Sequence, residues 1–432
     1  MSEIIASDGG TVLVLGAGMV GVCTALALQK RGARVTLVDR KAPGRETSYG
    51  NAGVLARSSL IPINNPAMFR ALPRMMRNTT TSLRYDPAFM ARNAVWVAQF
   101  LANARRSRFL ATASALDGLI RLSIARHLDL LAENGLGGHL SDRGWLFLYR
   151  GAAGFDAAQD NRAVMADHDV PTEVLDDAAL GDLEPGLRRV FARALWIKDS
   201  YSINDPGAVV AGYARAFVAA GGTIRQGDVA AMTESEDRVT VHLSGDPDLV
   251  ADRVAVCLGP WAKGFLENSG YRVRMAFERG YHRHFTGRRD GSNVPYLGRP
   301  VYDTGGGYVL SPMRAGLRLS SGVELTGCDA PPDTRQIERA ELAAREAVDL
   351  GERADDTTWL GRRPTFPDSR PAIGIAPGSR RVALGIGHQH IGFMTGAGTG
   401  EMLADILSGR PCAIDAAPFR TDRYIRRVRG GR

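Results

Sequence analysis

Gly16, Gly18 and Gly21, in the stretch VLVLGAGMVGVCTALAL, have the G-x-G-x-x-G spacing that lets a backbone close on a diphosphate. Gly16 permits the tight turn. Gly18 lets the main chain approach the pyrophosphate, and Gly21 lets a helix pack closely on its strand. Met19 and Val20 open that helix, whose N-terminus presents unpaired amides to negative charge. Asp39 ends the next apolar run, where a carboxylate can bond a ribose diol, and Arg40 follows it. The chemistry is dinucleotide binding. The fingerprint alone leaves NAD and FAD both open.

The stretch RETSYGNAGVLARSS narrows the choice. It offers Thr47, Ser48 and Asn51, then Ala52, Gly53 and Val54. Small hydroxyl and amide side chains between glycines suit phosphate and ribityl oxygens while letting a flat ring pass. A nicotinamide site asks for nothing of this kind, so the segment favours a flavin. A third stretch, LGIGHQHIGFMTGAGTGEMLADILSG, puts six glycines between Gly385 and Gly400. Glycine at that density costs chain entropy, so something must come close to the backbone there.

Around these stretches the elements can be read. Residues 11–39 run strand, glycine turn, helix, strand. From Pro66 to about Gly135 the pattern turns helical, with PAFMARNAVWVAQFLANARRSRFL and LIRLSIARHLDLLAENGL strongly amphipathic. GWLFLYR and ADRVAVCLGPWA read as strands, DPGAVVAGYARAFVAAGG as a helix, and Val273 to Val323 as an antiparallel sheet. DTRQIERAELAAREAVDLG reads as a charged surface helix, and the last seventy residues return to buried strand, glycine turn and helix. Strands at both ends share the apolar character of a parallel sheet. One domain is therefore expected to be assembled from separated pieces, with helices and an antiparallel sheet inserted.

A chain of 432 residues exceeds one ordinary core, so two domains are expected. No apolar run is long enough for a transmembrane helix, and MSEIIASDGG does not read as a signal peptide. Cys23, Cys257, Cys328 and Cys412 are scattered, which excludes a CxxC zinc or redox site and suits buried free thiols in a cytoplasmic protein. The net charge is +8, unevenly spread. Arg57 to Leu116 holds nine arginines and one acid, and Arg420 to Arg432 six arginines and one acid, leaving the remainder net acidic. No nucleic-acid module accompanies this basicity. A peripheral contact with the inner face of a membrane or with an acidic protein partner, or a solvated arginine face, accounts for it equally well.

The chain resembles the D-amino-acid oxidase-like FAD-dependent oxidoreductases, and among them the bacterial D-amino-acid dehydrogenases, D-hydroxyproline dehydrogenase-like members included. The resemblance runs through VLVLGAGMVG, ETSYGNAG, DPGAVV, VAVCLGPWA, ERGYH, GRRPTFPDSRPAIG and the C-terminal glycine stretch, in that order. It implies an α/β (α+β overall) protein. A Rossmann-type FAD-binding domain would comprise 1–60, 190–265 and 355–432, and an inserted substrate domain of antiparallel sheet and helices 61–189 and 266–354. It also implies that Gly387 and Gly392 let the backbone run against the flavin and that Phe393, Met394 and Thr395 lead into a helix facing the flavin N1–C2=O edge. Gly396, Gly398 and Gly400 would then let that helix pack on the sheet. Val229 would touch the adenine, with Gly259 and Trp261 forming a second dinucleotide turn.

The activity implied is oxidation of a D-amino acid, open or cyclic as in D-proline and hydroxyproline, to the imine. Electrons would pass to a quinone or a partner redox protein. An oxygen-using glycine or sarcosine-type amine oxidase is the first alternative, and a flavin-bearing electron-transfer subunit the second. A carboxylate substrate needs a cation, and the family element places Arg363 there; pairing with Asp368 is the plainer role for it. Tyr281 would share the carboxylate. His282 is either a site residue or a half-buried strand residue. His390 stands where glycine oxidases carry an arginine, and His388 reads as structural. With no cysteine between Cys328 and Cys412, the FAD is expected to be non-covalent, and no metal is needed.

Overall fold

The computed structural model describes residues 10–69, 76–78, 80–287 and 297–428. The apolar run Thr11–Leu15 forms the centre of a six-stranded sheet, buried along Val12 to Leu15. Its neighbours are Arg34–Asp39 on one side and Arg253–Val256 on the other, both parallel to it. Thr223–Gln226 extends the sheet beyond Arg34–Asp39, and Val382–Ile386 beyond Arg253–Val256, again in parallel. Only the last strand, Ala372–Ile375, runs antiparallel. Strands from the beginning, middle and end of the chain thus share one sheet, and both faces are covered, which is why these runs are apolar throughout rather than alternating.

The helix Met19–Lys30 leaves the first strand at the glycine turn, and nine of its twelve residues are buried. The C-terminal helix Gly396–Leu407 lies against it. A Cβ on Gly396 would come within 2.6 Å of Met19 Cγ, and one on Gly400 within 2.6 Å of the Cys23 carbonyl carbon. Gly398 faces Ser123 of the long helix Arg106–Glu133, whose hydroxyl accepts a hydrogen bond from the Gly398 amide at 3.1 Å. The three glycines therefore serve close helix–helix crossing. The expected packing on the sheet is carried instead by Gly385, whose missing Cβ makes room for Leu403 and Thr399.

A second, ten-stranded sheet holds Ala276–Phe285 at its heart, bonded to Gly316–Ser321, Val323–Leu325 and Trp359–Thr365. Two strands assigned by their sequence position to the dinucleotide part, Arg193–Ile197 and Trp359–Thr365, pair in this sheet. The stretch from Pro66 is not uniformly helical: Leu83–Tyr85 is a strand, parallel to Val323–Leu325. One row of this sheet matters for the site. Phe147, Tyr302, Val309, Ser320, His282 and Trp359 are successive cross-strand partners on six strands, and so share one face.

Part of the arginine-rich stretches is drawn into ion pairs. Arg57 is buried with Asp117, Arg84 pairs with Asp333, and Arg423 with Asp368, whereas Arg92, Arg105, Arg106 and Arg108 are exposed. Arg70, Arg74, Arg429 and Arg432 lie outside the described residues, as do 288–296 of the expected antiparallel region. Among the described residues no helix is long and apolar enough to cross a membrane, no group of side chains could hold a metal ion, and Cys23 and Cys257 are buried free thiols while Cys328 and Cys412 are half-buried.

Candidate functional site

One cavity of about 1210 Å³ runs from the C-terminal ends of the parallel strands to the face of the second sheet. That exceeds the ~300–1,000 Å³ of an ordinary small-molecule pocket, leaving room for a dinucleotide and a small substrate together.

Its first end is mostly backbone. Gly16 (φ +102°) turns against the Cys257 carbonyl, a conformation and a closeness that only glycine permits. Gly18 would present a Cβ to nothing but the Ser48 hydroxyl, and Gly259 (φ +54°) to open space. Gly18, Met19 and Val20 line the cavity; Gly21 does not, because it faces the Gly16 carbonyl and serves the helix packing. The Met19 amide donates to Ser48 Oγ at 3.0 Å, so that hydroxyl sits where the helix N-terminus attracts negative charge. Asp39 accepts from the amides of Ala17 (2.6 Å) and Lys41 (2.9 Å) and borders the cavity; burial raises its pKa above the ordinary value despite those bonds. Arg40 lies over the Trp261 ring at 4.1 Å and pairs with Glu46 at 2.9 Å. Val229, Gly259 and Trp261 border the same end.

The middle of the cavity is bordered by Thr47, Ser48, Asn51, Ala52 and Val54 on one side and by Gly392, Phe393 and Met394 on the other. Gly53 stands back from it, since its φ of +74° and its contact with the Ile203 carbonyl close the turn held by Asn51 Oδ1. Gly387 (φ +79°) makes room for the Phe366 ring, and not for a ligand. Thr395 caps the last helix from a buried position, its hydroxyl bonded to the Ile391 carbonyl, and does not border the cavity. Two residues that sequence reading passed over fix this glycine turn: Ser123, and His127, whose Nε2 lies 3.1 Å from the Phe393 carbonyl. Burial lowers the His127 pKa to about 4, so the ring is neutral and its N–H donates to that carbonyl. Both are polar residues four apart on the apolar stripe of the long helix, and that was the available signal.

The far end is built from side chains. Arg363 borders it, its guanidinium laid over Gly280, where any Cβ would overlap it. Asp368 is taken by Arg370 and Arg423, so the alternative role for Arg363, a loop pairing with Asp368, is not formed. Glu278, directly across the strand from Arg363, is buried, and its Oε2 has no partner. His390 opens to the cavity but is enclosed by protein beyond it; that enclosure and the neighbouring Arg363 lower its pKa to about 4. His388 also borders the cavity and bonds Thr399 at 3.0 Å, as a structural residue would. Phe147, Tyr302, Val309 and Ser320 complete the wall, with Phe147 edge-on to both Trp145 (4.7 Å) and Tyr302 (5.5 Å).

Tyr281 is not there. It points to the opposite face of the sheet, where its hydroxyl bonds Glu324 and receives bonds from Arg279 and the Asp333 amide, each at 2.8 Å. The reason is strand parity: neighbours in a strand face opposite sides, so Tyr281 and His282 cannot share one wall. His282 does face the cavity side but is stacked under Trp359 at 4.8 Å, against the Tyr49–Gly50 loop. Burial, with Arg318 and His284 adding to it, lowers its pKa to about 2, which leaves it uncharged.

These residues fit an FAD. The glycine cradle, the helix N-terminus and the acidic strand end match a diphosphate and a ribose. The buried hydroxyls of Ser58 and Ser320, which border the cavity without partners, ask for a polar ligand.

Known proteins agree with this geometry. Residues 11–406 match the family described as FAD dependent oxidoreductase. A D-amino-acid oxidase of Bradyrhizobium diazoefficiens is 27% identical over 428 residues, covering 97% of this chain and all of the relative. A D-amino acid dehydrogenase of Granulibacter bethesdensis is 28% identical over 421 residues, covering 96% and 99%. Among solved structures, glycine oxidase from Geobacillus kaustophilus superposes with a TM-score of 0.75 at 21% identity, over 97% of this chain and all of that one. The chain belongs to the FAD-dependent oxidoreductase family, and FAD is its cofactor.

Proposed function

We propose that this FAD-dependent oxidoreductase oxidises the Cα–N bond of a free D-amino acid, cyclic secondary amines such as D-proline and hydroxyproline included, to the imine. The substrate loses a hydride from Cα and a proton from nitrogen; water then hydrolyses the imine to the keto acid, releasing ammonia from a primary amine or opening the ring of a cyclic one. When bound, FAD supplies the two-electron acceptor, held without a covalent link because no cysteine borders the cavity at its far end. The D configuration is supported by the two curated relatives, whose names specify D-amino acids.

The observation that carries the reading is Arg363. Among the described residues its guanidinium makes no close ion pair, and its hydrogen bond goes to the Gly322 carbonyl at 3.4 Å, whereas Arg162, the other cation on that wall without an ion pair, is folded over the Phe155 ring and bonds the Phe155 carbonyl. A zwitterion entering an enclosed site must have its carboxylate charge matched. A guanidinium does so with two parallel bonds, which also fix the direction of Cα. His390, neutral above about pH 4, adds a hydrogen-bonding group but no second charge. The aromatic wall of Phe147 and Tyr302 receives the side chain and displaces water from it.

The test is reduction of the bound flavin under anaerobic conditions by a panel of D- and L-amino acids. Arg363→Ala should lower the efficiency of reduction by about a hundredfold or more, as loss of a desolvated charge pair requires. Arg363→Lys should recover only part of it, because the two-pronged geometry is lost. FAD content should match the parent in both. Reduction of Arg363→Ala at the parental rate would place the carboxylate elsewhere. Peroxide release in air separates an oxidase from a dehydrogenase that uses a quinone or a redox partner.

A further inference from the structure

We propose that Glu278 is the counter-charge of Arg363 and takes up one proton from solvent when a carboxylate ligand binds at Arg363. The proposal rests on the reading of Arg363 given above. Glu278 and Arg363 are direct partners across the antiparallel strands Ala276–Phe285 and Trp359–Thr365. Glu278 and Gly280 share a face, and the guanidinium lies over Gly280. Glu278 is only 1% exposed. The two charges face one another without a direct ion pair, and Glu278 Oε2 is left without a hydrogen bond.

That arrangement makes the charge of Glu278 conditional. A buried carboxylate stays ionised only while a nearby cation compensates it. In the absence of ligand, Arg363 does so. A ligand carboxylate in direct contact with Arg363 takes over that compensation, and two carboxylates then compete for one cation. The one without a direct bond to Arg363, Glu278, is the one that accepts the proton.

Among the described residues, none of the other ionisable groups on the elements next to Glu278 substitutes. On the adjoining strand Val323–Leu325, Glu324 turns to the opposite face and pairs with Arg279 at 3.2 Å. The helix Ala94–Asn103, packed on Ala276 through Trp96, carries no ionisable side chain. In the loop after Trp359–Thr365, Asp368 is held by Arg370 and Arg423. His388 and His390, from the glycine turn, are neutral above about pH 3 and pH 4. Burial raises the Glu278 pKa to about 7, with Arg363 and the Thr365 hydroxyl opposing the shift. The proton exchange therefore falls in the neutral range.

The sign follows. Below about pH 7 Glu278 already holds its proton, and binding takes up none. Above it, each bound carboxylate draws in up to one proton, and affinity falls by up to about tenfold per pH unit until the raised pKa of the bound state is passed.

The test uses the FAD-loaded protein and 3-phenylpropanoate, a carboxylate with no amine to oxidise. Titration calorimetry in two buffers of different ionisation enthalpy, between pH 5.5 and pH 9, counts the protons. We expect close to one proton per ligand near pH 8, almost none at pH 5.5, and a dissociation constant that rises with pH. In Glu278→Gln the count should fall to near zero at every pH and the dissociation constant should lose its slope. A parental protein that takes up no proton overturns the proposal, with no need for a variant that folds. So does uptake that persists in Glu278→Gln, which would move the proton to His390. If Arg363→Ala binds the probe as tightly as the parent, the carboxylate reading itself is wrong, a result distinguishable from the other two.

Discussion

The two ends of the cavity are made differently. The dinucleotide end is mostly backbone: the turn at Gly16, the amides at the start of the Met19–Lys30 helix, and the open Cα of Gly259. Side chains there mainly support the main chain, as Asp39 does for Ala17 and Lys41. The substrate end is the reverse. Its surface is a row of side chains across the second sheet, and its glycine, Gly280, exists to let a guanidinium lie flat. A backbone site tolerates little change of shape but recognises a constant ligand. A side-chain site can change its ligand without changing its fold.

The comparison can be broken at its strongest point by giving the dinucleotide end a side chain. In Gly21→Ala the new methyl overlaps the Gly16 carbonyl oxygen and drives the helix off its strand. No FAD-loaded soluble protein should be recovered, and a yellow, monodisperse Gly21→Ala protein would show that the turn is more pliable than described. A smaller effect is expected at Asp39. Losing a charge-assisted bond costs roughly 1.5–3 kcal/mol, so Asp39→Ala should weaken FAD affinity by about one to two orders of magnitude while the apoprotein stays folded. Equilibrium dialysis against free FAD measures this, and an unchanged affinity would leave Asp39 a role in its own loop alone. The smallest effect belongs to the substrate wall. Phe147→Ala should lower kcat/KM about ten- to a hundredfold for D-amino acids with bulky side chains, with little change for D-alanine and none in FAD content. A uniform loss across side chains would mean that Phe147 supports the sheet rather than the substrate.

The same contrast explains what the sequence made legible. The dinucleotide end is written in contiguous residues, since turn, helix start and acidic strand end follow one another from Gly16 to Asp39. The discontinuous sheet was also foreseeable, because both ends of the chain carry unbroken apolar runs between glycine turns. The substrate wall was not. Phe147, Tyr302, Val309 and Ser320 meet through strand register over more than 170 positions, and no local pattern records that register. Arg363 was reached through a short motif, but its partner Glu278 required the pairing of two strands. Tyr281 was misplaced for a reason the sequence did hold: alternation in the run Ala276–Phe285 already set it opposite to His282. The role of Gly396 and Gly400 needed the knowledge that another helix, and not the sheet, lay against them.

That helix crossing also sets a timetable for biosynthesis. The helix Gly396–Leu407 presses on Met19–Lys30, and the strand Val382–Ile386 completes the sheet beside Arg253–Val256. A chain emerging from the ribosome therefore displays its dinucleotide fingerprint first, while the partner that braces it is made last. Until residues near 400 have been released, the first helix has an uncovered glycine-fitted face and Arg253–Val256 an unpaired edge. Cofactor capture thus becomes an event of the finished chain, and the long interval before it is when the nascent protein is most exposed to aggregation and most dependent on chaperones.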